Sequence, residues 1–110
     1  MADKKLSSDL LRGHTDTIIL KLLMSGDKYG YDILKLIHLN SDGEYELKEA
    51  TMYSSLKRLE KDEYISSYWG DDATKGGRRK YYTLTEKGEE LYAENKRQWE
   101  SAKRILEQLL

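Results

Sequence analysis

The chain of 110 residues has no cysteine. That excludes disulfides, thiolate catalysis and cysteine-based zinc sites, and it fits a reducing compartment. No apolar run approaches the roughly 18 residues of a membrane span, and the opening MADKK lacks the apolar core of a signal peptide. A cytoplasmic protein without membrane contact is expected. Apolar residues are scarce as well, 38% against 35% charged, which is low for a self-sufficient globule. The length implies one small domain, and part of its hydrophobic stabilisation is expected from a partner chain. The two histidines, His14 and His38, share no metal-ligand spacing, and His14, beside Asp16, reads as a surface residue. No Ser/His/Asp order, phosphate loop or metal cluster rises above chance, so neither an enzyme nor a cofactor is expected. A large excess of either charge is missing too: the net charge is −1 and the pI near 6.1. DNA-binding domains are usually basic, but the cations here cluster at 57–61 and 75–80 while 42–49 and 86–94 lean acidic. A positive face can therefore coexist with a neutral whole.

What is present centres on residues 46–88. Met52, Leu56 and Leu59 recur at the spacing of one apolar helix face, which turns Thr51, Ser54, Ser55, Lys57, Arg58 and Lys61 elsewhere. After Tyr64 the period changes to 2, with Ile65, Ser67 and Trp69 on one side of a strand and Tyr64, Ser66 and Tyr68 on the other. A second strand is expected over 80–85, rich in Tyr and Thr. Between the strands lies a tip at 70–79, where Gly76 and Gly77 free the backbone and Lys75, Arg78, Arg79 and Lys80 place four cations within six residues. A helix followed by a basic hairpin is the order of a winged helix-turn-helix, which lays one helix in the DNA major groove and its wing along the phosphates. Thr51, Ser54, Lys57 and Arg58 are expected at the groove, with Tyr53 bonding a phosphate through its hydroxyl. Lys75, Gly76, Gly77, Arg78 and Arg79 are expected to hold phosphates rather than to read sequence.

Around this centre, a first helix is expected over 5–25. Leu11, Thr15, Ile18 and Leu22 form one stripe, and Leu10, Thr17, Leu20 and Met24 a second. Gly13, inside that helix, either admits a close backbone or ligand or marks a break after a short arm. Gly26 supplies a stop and Asp27 a cap for a second helix over 29–39, with Ile33, Leu34 and Ile37 inward. A short strand is expected at 44–47. Lys48 is a poor cap for the third helix, and Glu49 alone favours its dipole. Thr85 caps a last helix over 86–110. Its apolar positions include Leu91, Trp99, Ala102, Ile105, Leu106 and Leu109, and no later element of the chain covers them. They are expected to pack on a second copy, giving a homodimer with its third helices roughly 34 Å apart. The chain accordingly divides into a DNA-binding unit, 1–85, and a dimerisation helix, 86–110. The fold class expected is mainly α with a small β-hairpin.

Three runs carry a resemblance. Tyr29-Gly30-Tyr31-Asp32-Ile33, then Glu49-Ala50-Thr51-Met52-Tyr53 with Leu56-Lys57-Arg58-Leu59-Glu60, and most specifically Gly77-Arg78-Arg79-Lys80-Tyr81-Tyr82-Thr83-Leu84-Thr85-Glu86-Lys87-Gly88, resemble the PadR family of bacterial transcriptional regulators. The likeness covers nearly the whole chain and points to the short members with a single C-terminal helix, among them the lactococcal regulator of multidrug efflux. Two departures stand out: Ser54 where many relatives carry Pro, and Glu63 where many carry Gly. The resemblance implies a dimeric repressor that binds double-stranded DNA at a pseudo-palindromic operator. It also implies a pore between the subunits, where the residue matching Trp99 stacks on flat aromatic effectors. On this chain its wall would be Leu10, Gly13, Asp16, Thr17, Asn95, Lys96, Trp99 and Lys103. Lys96 and Lys103 flank Trp99 at i−3 and i+4, which would favour anionic or neutral planar compounds such as phenolic acids. Two other classes stay open: a dimeric protein-interaction module without sequence-specific DNA binding, and a small-molecule binder or promiscuous catalyst in the pore.

Overall fold

The computed structural model describes residues 8–72 and 77–110. In chain order they form α1 (Ser8–Arg12), α2 (Thr15–Leu23), β1 (Lys28–Tyr29), α3 (Gly30–Asn40), α4 (Glu49–Lys61), β2 (Ile65–Asp72), β3 (Gly77–Leu84) and α5 (Glu86–Leu109). The strands make one antiparallel sheet in the order β1-β3-β2. The fold is mostly helical with this small sheet, as the sequence predicts.

Helices α2, α3 and α4 supply most of the core. Ile19, Leu20 and Leu23 meet Ile33 and Ile37, then Met52, Leu56 and Leu59, and the sheet closes the cluster with Ile65 and Tyr82. Ile19 and Leu23 belong to neither stripe drawn from the sequence. Leu11, Ile18 and Leu22 line a groove beside α2, with Ile18 and Leu22 also packed against the core. Ser55, expected to face away with the cations of α4, is only 4% exposed.

Several boundaries differ from expectation, some for a local reason and some through a partner far along the chain. The helix expected over 5–25 is broken at Gly13-His14, where His14 N–H bonds the Leu11 carbonyl at 2.9 Å and the Thr15 hydroxyl bonds the Arg12 carbonyl at 3.0 Å. A Cβ at Gly13 would meet nothing within 4 Å, so this glycine marks a break and admits no neighbouring backbone of its own chain. The short strand is not at 44–47. Ser41 closes that segment by accepting from the Tyr45 N–H at 3.0 Å, and Tyr45 and Leu47 pack their side chains on the core without pairing. The third strand is Lys28–Tyr29, paired with Tyr82 and Tyr81. Asp27 is therefore not a helix cap: Tyr29 occupies that position on α3 without a side-chain bond, while Asp27 accepts from the Tyr68 hydroxyl at 2.6 Å. The hairpin strands also run further than 80–85 predicts. Gly70, Asp71 and Asp72 pair with Arg79, Arg78 and Gly77, so most of the expected tip is strand.

The end of α4 explains one departure from the PadR pattern. Tyr64 N–H bonds the Leu59 carbonyl at 2.9 Å and Glu63 N–H the Glu60 carbonyl at 3.0 Å, the two bonds of a Schellman stop. This stop needs a left-handed residue, and Glu63 takes it at φ 66°, where glycine would sit without strain. The last helix starts as expected, with Thr85 Oγ1 accepting from Gly88 N–H at 3.0 Å.

Candidate nucleic-acid interface

Helix α4 divides cleanly. Met52, Ser55, Leu56 and Leu59 are buried, while Tyr53, Ser54, Lys57 and Lys61 lie exposed and Thr51 is half-buried. Its N-terminus carries no side-chain cap, only Glu49 in the first turn. Tyr53 is fixed from below. Gly30 opens α3 directly beneath its ring, where an added Cβ would sit 2.9 Å from Cζ and collide with the hydroxyl. That packing leaves Tyr53 44% exposed beside Ser54.

Arg58 is the exception among the expected groove residues. Its Nη2 lies 2.6 Å from Asp16 Oδ1 on α2 and 3.5 Å from Ser55 Oγ. The bond and charge of Asp16 raise its pKa further above the ordinary guanidinium value. Asp16 was expected in the wall of a ligand pore; it points to α4 instead.

The hairpin presents two different faces. Arg78 alternates with Lys80 and Tyr82 on the side toward the end of α4, where Lys80 Nζ is 3.7 Å from Glu60 Oε1 and Ser67 Oγ also donates to Glu60. Trp69 lies on this same side, 60% exposed, with the Arg78 guanidinium 5.9 Å from its ring. Arg79 alternates onto the opposite face and stacks 4.4 Å over Tyr29. There Tyr29, Tyr81 and Tyr68 form a row, with ring centroids 5.7 Å apart at each step. The wing cations expected to act together are thus split between the two faces, as the period of 2 requires. Gly77 opens β3; Lys75 and Gly76 lie outside the described residues. At the foot of the tyrosine row the Tyr68 hydroxyl bond holds Asp27 below its usual pKa, and the same bond pushes the Tyr68 phenol up.

Helix α5 lies along α2. Leu91 and Tyr92 pack against this chain's own core, and Asn95 Nδ2 donates to Thr17 Oγ1 at 3.0 Å. Beyond them the apolar row is open, with Trp99 40%, Ile105 45%, Leu106 47% and Leu109 75% exposed, and Ala102 exposed too. Two hollows adjoin Trp99. The larger, ≈ 730 Å³, is mostly apolar and includes Leu10, Thr17, Lys96 and Trp99 of the expected pore wall; the smaller, ≈ 300 Å³, includes Gly13, Thr17, Asn95 and Trp99. Lys103 lines neither hollow, and Lys96 sits 3.8 Å from Glu100. The cationic flanks expected on both sides of Trp99 are therefore reduced to one, partly neutralised, although Lys21 joins it in the wall. Sequence reading missed His14, taken for a surface residue. It packs edge-on against Trp99, centroids 5.1 Å apart, because the turn at Gly13 brings it inward.

Compared with known proteins, residues 19–94 match the model of the transcriptional regulator PadR-like family. The chain belongs to that family. PadR-like proteins are transcription regulators and not enzymes. A transcriptional regulator from Clostridium thermocellum shares 45% identity over 94% of this chain and 96% of its own, with a TM-score of 0.86. A PadR family transcription regulator from Clostridium difficile shares 38% identity over 87% and 97%, with a TM-score of 0.75. A protein of Lysinibacillus sphaericus is 42% identical over 100 residues, 91% of each chain. No helix among the described residues of this PadR-like chain is long and apolar enough to cross a membrane.

Proposed function

We propose that this PadR-like protein is a homodimeric repressor of the short, single-C-terminal-helix kind. In this reading α4 enters the major groove with Ser54 and Lys57 at base edges and Thr51 and Tyr53 toward the backbone, while β2 and β3 lie along neighbouring phosphates. Residues 86–110 join two copies through Trp99, Ala102, Ile105, Leu106 and Leu109. Leu91 contributes by fixing α5 to its own subunit. A planar aromatic effector would lie against Trp99, between α5 and the first two helices.

The observation that carries this reading is the contrast along α5: its first turns are seated on the core while a row of Trp99, Ile105, Leu106 and Leu109 stays uncovered. An apolar row of that length on a soluble chain asks for a partner. A second copy supplies one by C2 symmetry and pairs the two α4 helices. An effector acts only as far as it binds one arrangement of the two subunits better than the other.

DNase footprinting of the chain's own promoter, with and without a panel of aromatic acids and amines, tests the reading together with light scattering. The expected result is a footprint of two half-sites about 10 base pairs apart, a mass twice the 12.9 kDa chain, and footprint release by at least one aromatic compound. A 12.9 kDa particle at micromolar concentration, or a single unpaired half-site, refutes it.

A further inference from the structure

Arg58 and Ser54 stand at i+4 and i on α4, on the strip of the helix that carries exposed polar groups. From that position the guanidinium can reach outward past Ser54 or sideways to α2. It is held sideways, with Nη2 2.6 Å from Asp16 Oδ1 across 42 residues of sequence. The side chains keep 54% and 29% of their exposure, so water screens the pair and its strength is that of a surface ion pair. A phosphate offers Arg the same fork geometry and a bond of the same charge-assisted kind. Approach of a duplex also brings negative charge toward Asp16, so a carboxylate left without Arg58 opposes binding.

We propose that Asp16 competes with DNA phosphate for Arg58: in the free protein the pair withholds one cation from the interface, and binding exchanges the carboxylate for a phosphate. The inference rests on the DNA-binding reading above and adds a residue on α2, outside helix and wing, that sets affinity. Asp16 itself touches no DNA; it acts through Arg58.

The test uses the full chain and a fluorescein-labelled 30-base-pair duplex of random sequence, titrated across a range of salt concentrations. Asp16→Asn is expected to tighten binding by about 3- to 10-fold at 0.1 M salt with a salt slope close to the parent's, since Arg58 reaches the phosphate in both complexes. In an Arg58→Gln background the same substitution is expected to change affinity by less than about 1.5-fold, since the cation it frees is gone. Asp16→Glu, which keeps the charge, is expected to return affinity to the parent level. Weaker or unchanged binding by Asp16→Asn overturns the proposal. So does an equal gain in the Arg58→Gln background, which would show that Asp16 merely repels DNA. A parent chain that binds no duplex at any salt overturns this inference and the DNA-binding reading together; parent binding with an unresponsive Asp16→Asn overturns this inference alone.

Discussion

Gly88 on α5 lies so close to the Tyr64 backbone that a Cβ there would overlap the Tyr64 carbonyl oxygen and sit 2.7 Å from Leu84 Cδ1. That carbonyl also accepts from Thr85 N–H at 3.2 Å and from the Thr85 hydroxyl at 2.9 Å, so it cannot swing away cheaply. Gly88→Ala is therefore expected to cost about 1–3 kcal/mol, the range for overpacking a tight site. Urea denaturation measures it; a midpoint within error of the parent would contradict the contact.

Glu63 gives the opposite prediction. Its φ of 66° places an L side chain in a region that costs about 1–2 kcal/mol, and glycine there forfeits about 0.4–1 kcal/mol in the unfolded chain. Glu63→Gly is expected to gain roughly 0.5–1 kcal/mol on balance, visible as a rise of a few degrees in Tm. A lower Tm would mean that the Glu63 side chain contributes more than its backbone strains.

The Asp27–Tyr68 bond sets a pH window. Asp27 is held below its usual value by the Tyr68 hydroxyl; a lowered carboxylate pKa stabilises above the unfolded value, and the gain disappears as pH falls below about 4. Tyr68 is raised by the same bond, so its share is present below about pH 10 and vanishes as pH rises through its raised value. The stability difference between parent and Tyr68→Phe should stay flat from about pH 5 to 9 and shrink beyond either end. A difference that persists unchanged at pH 3 would show that the bond is not formed.

Readout and grip should separate by residue. Ser54→Ala, on the open strip of α4, is expected to change which sequences a selection from randomised duplexes recovers while leaving the salt slope alone. Arg78→Ala, on the hairpin face turned toward α4, is expected to weaken all duplexes alike and to reduce the salt slope by about 0.9. Identical losses on selected and random DNA from both variants would remove that division.

Much of the fold was legible because local rules and tertiary structure agree. The Met52, Leu56 and Leu59 face, the Thr85 cap and the change of period after Tyr64 all appear where the sequence puts them. Several of the misses depend on a partner far along the chain. Lys28 and Tyr29 become a strand only because β3 lies beside them, and Asp27 turns from α3 to a tyrosine 41 residues on. At the site, Ser54 and Lys57 are exposed as read from helical spacing. Arg58 and Asp16 were assigned to separate tasks because nothing in their local sequence announces a contact 42 residues apart. The one local signal for His14 was Gly13, whose break reorients the residue after it.

Asp16 and Thr17 are neighbours on a nine-residue helix, yet one grips Arg58 of α4 and the other Asn95 of α5. Successive residues project about 100° apart, so one short helix ties the α4 side of the fold to the α5 side through adjoining positions.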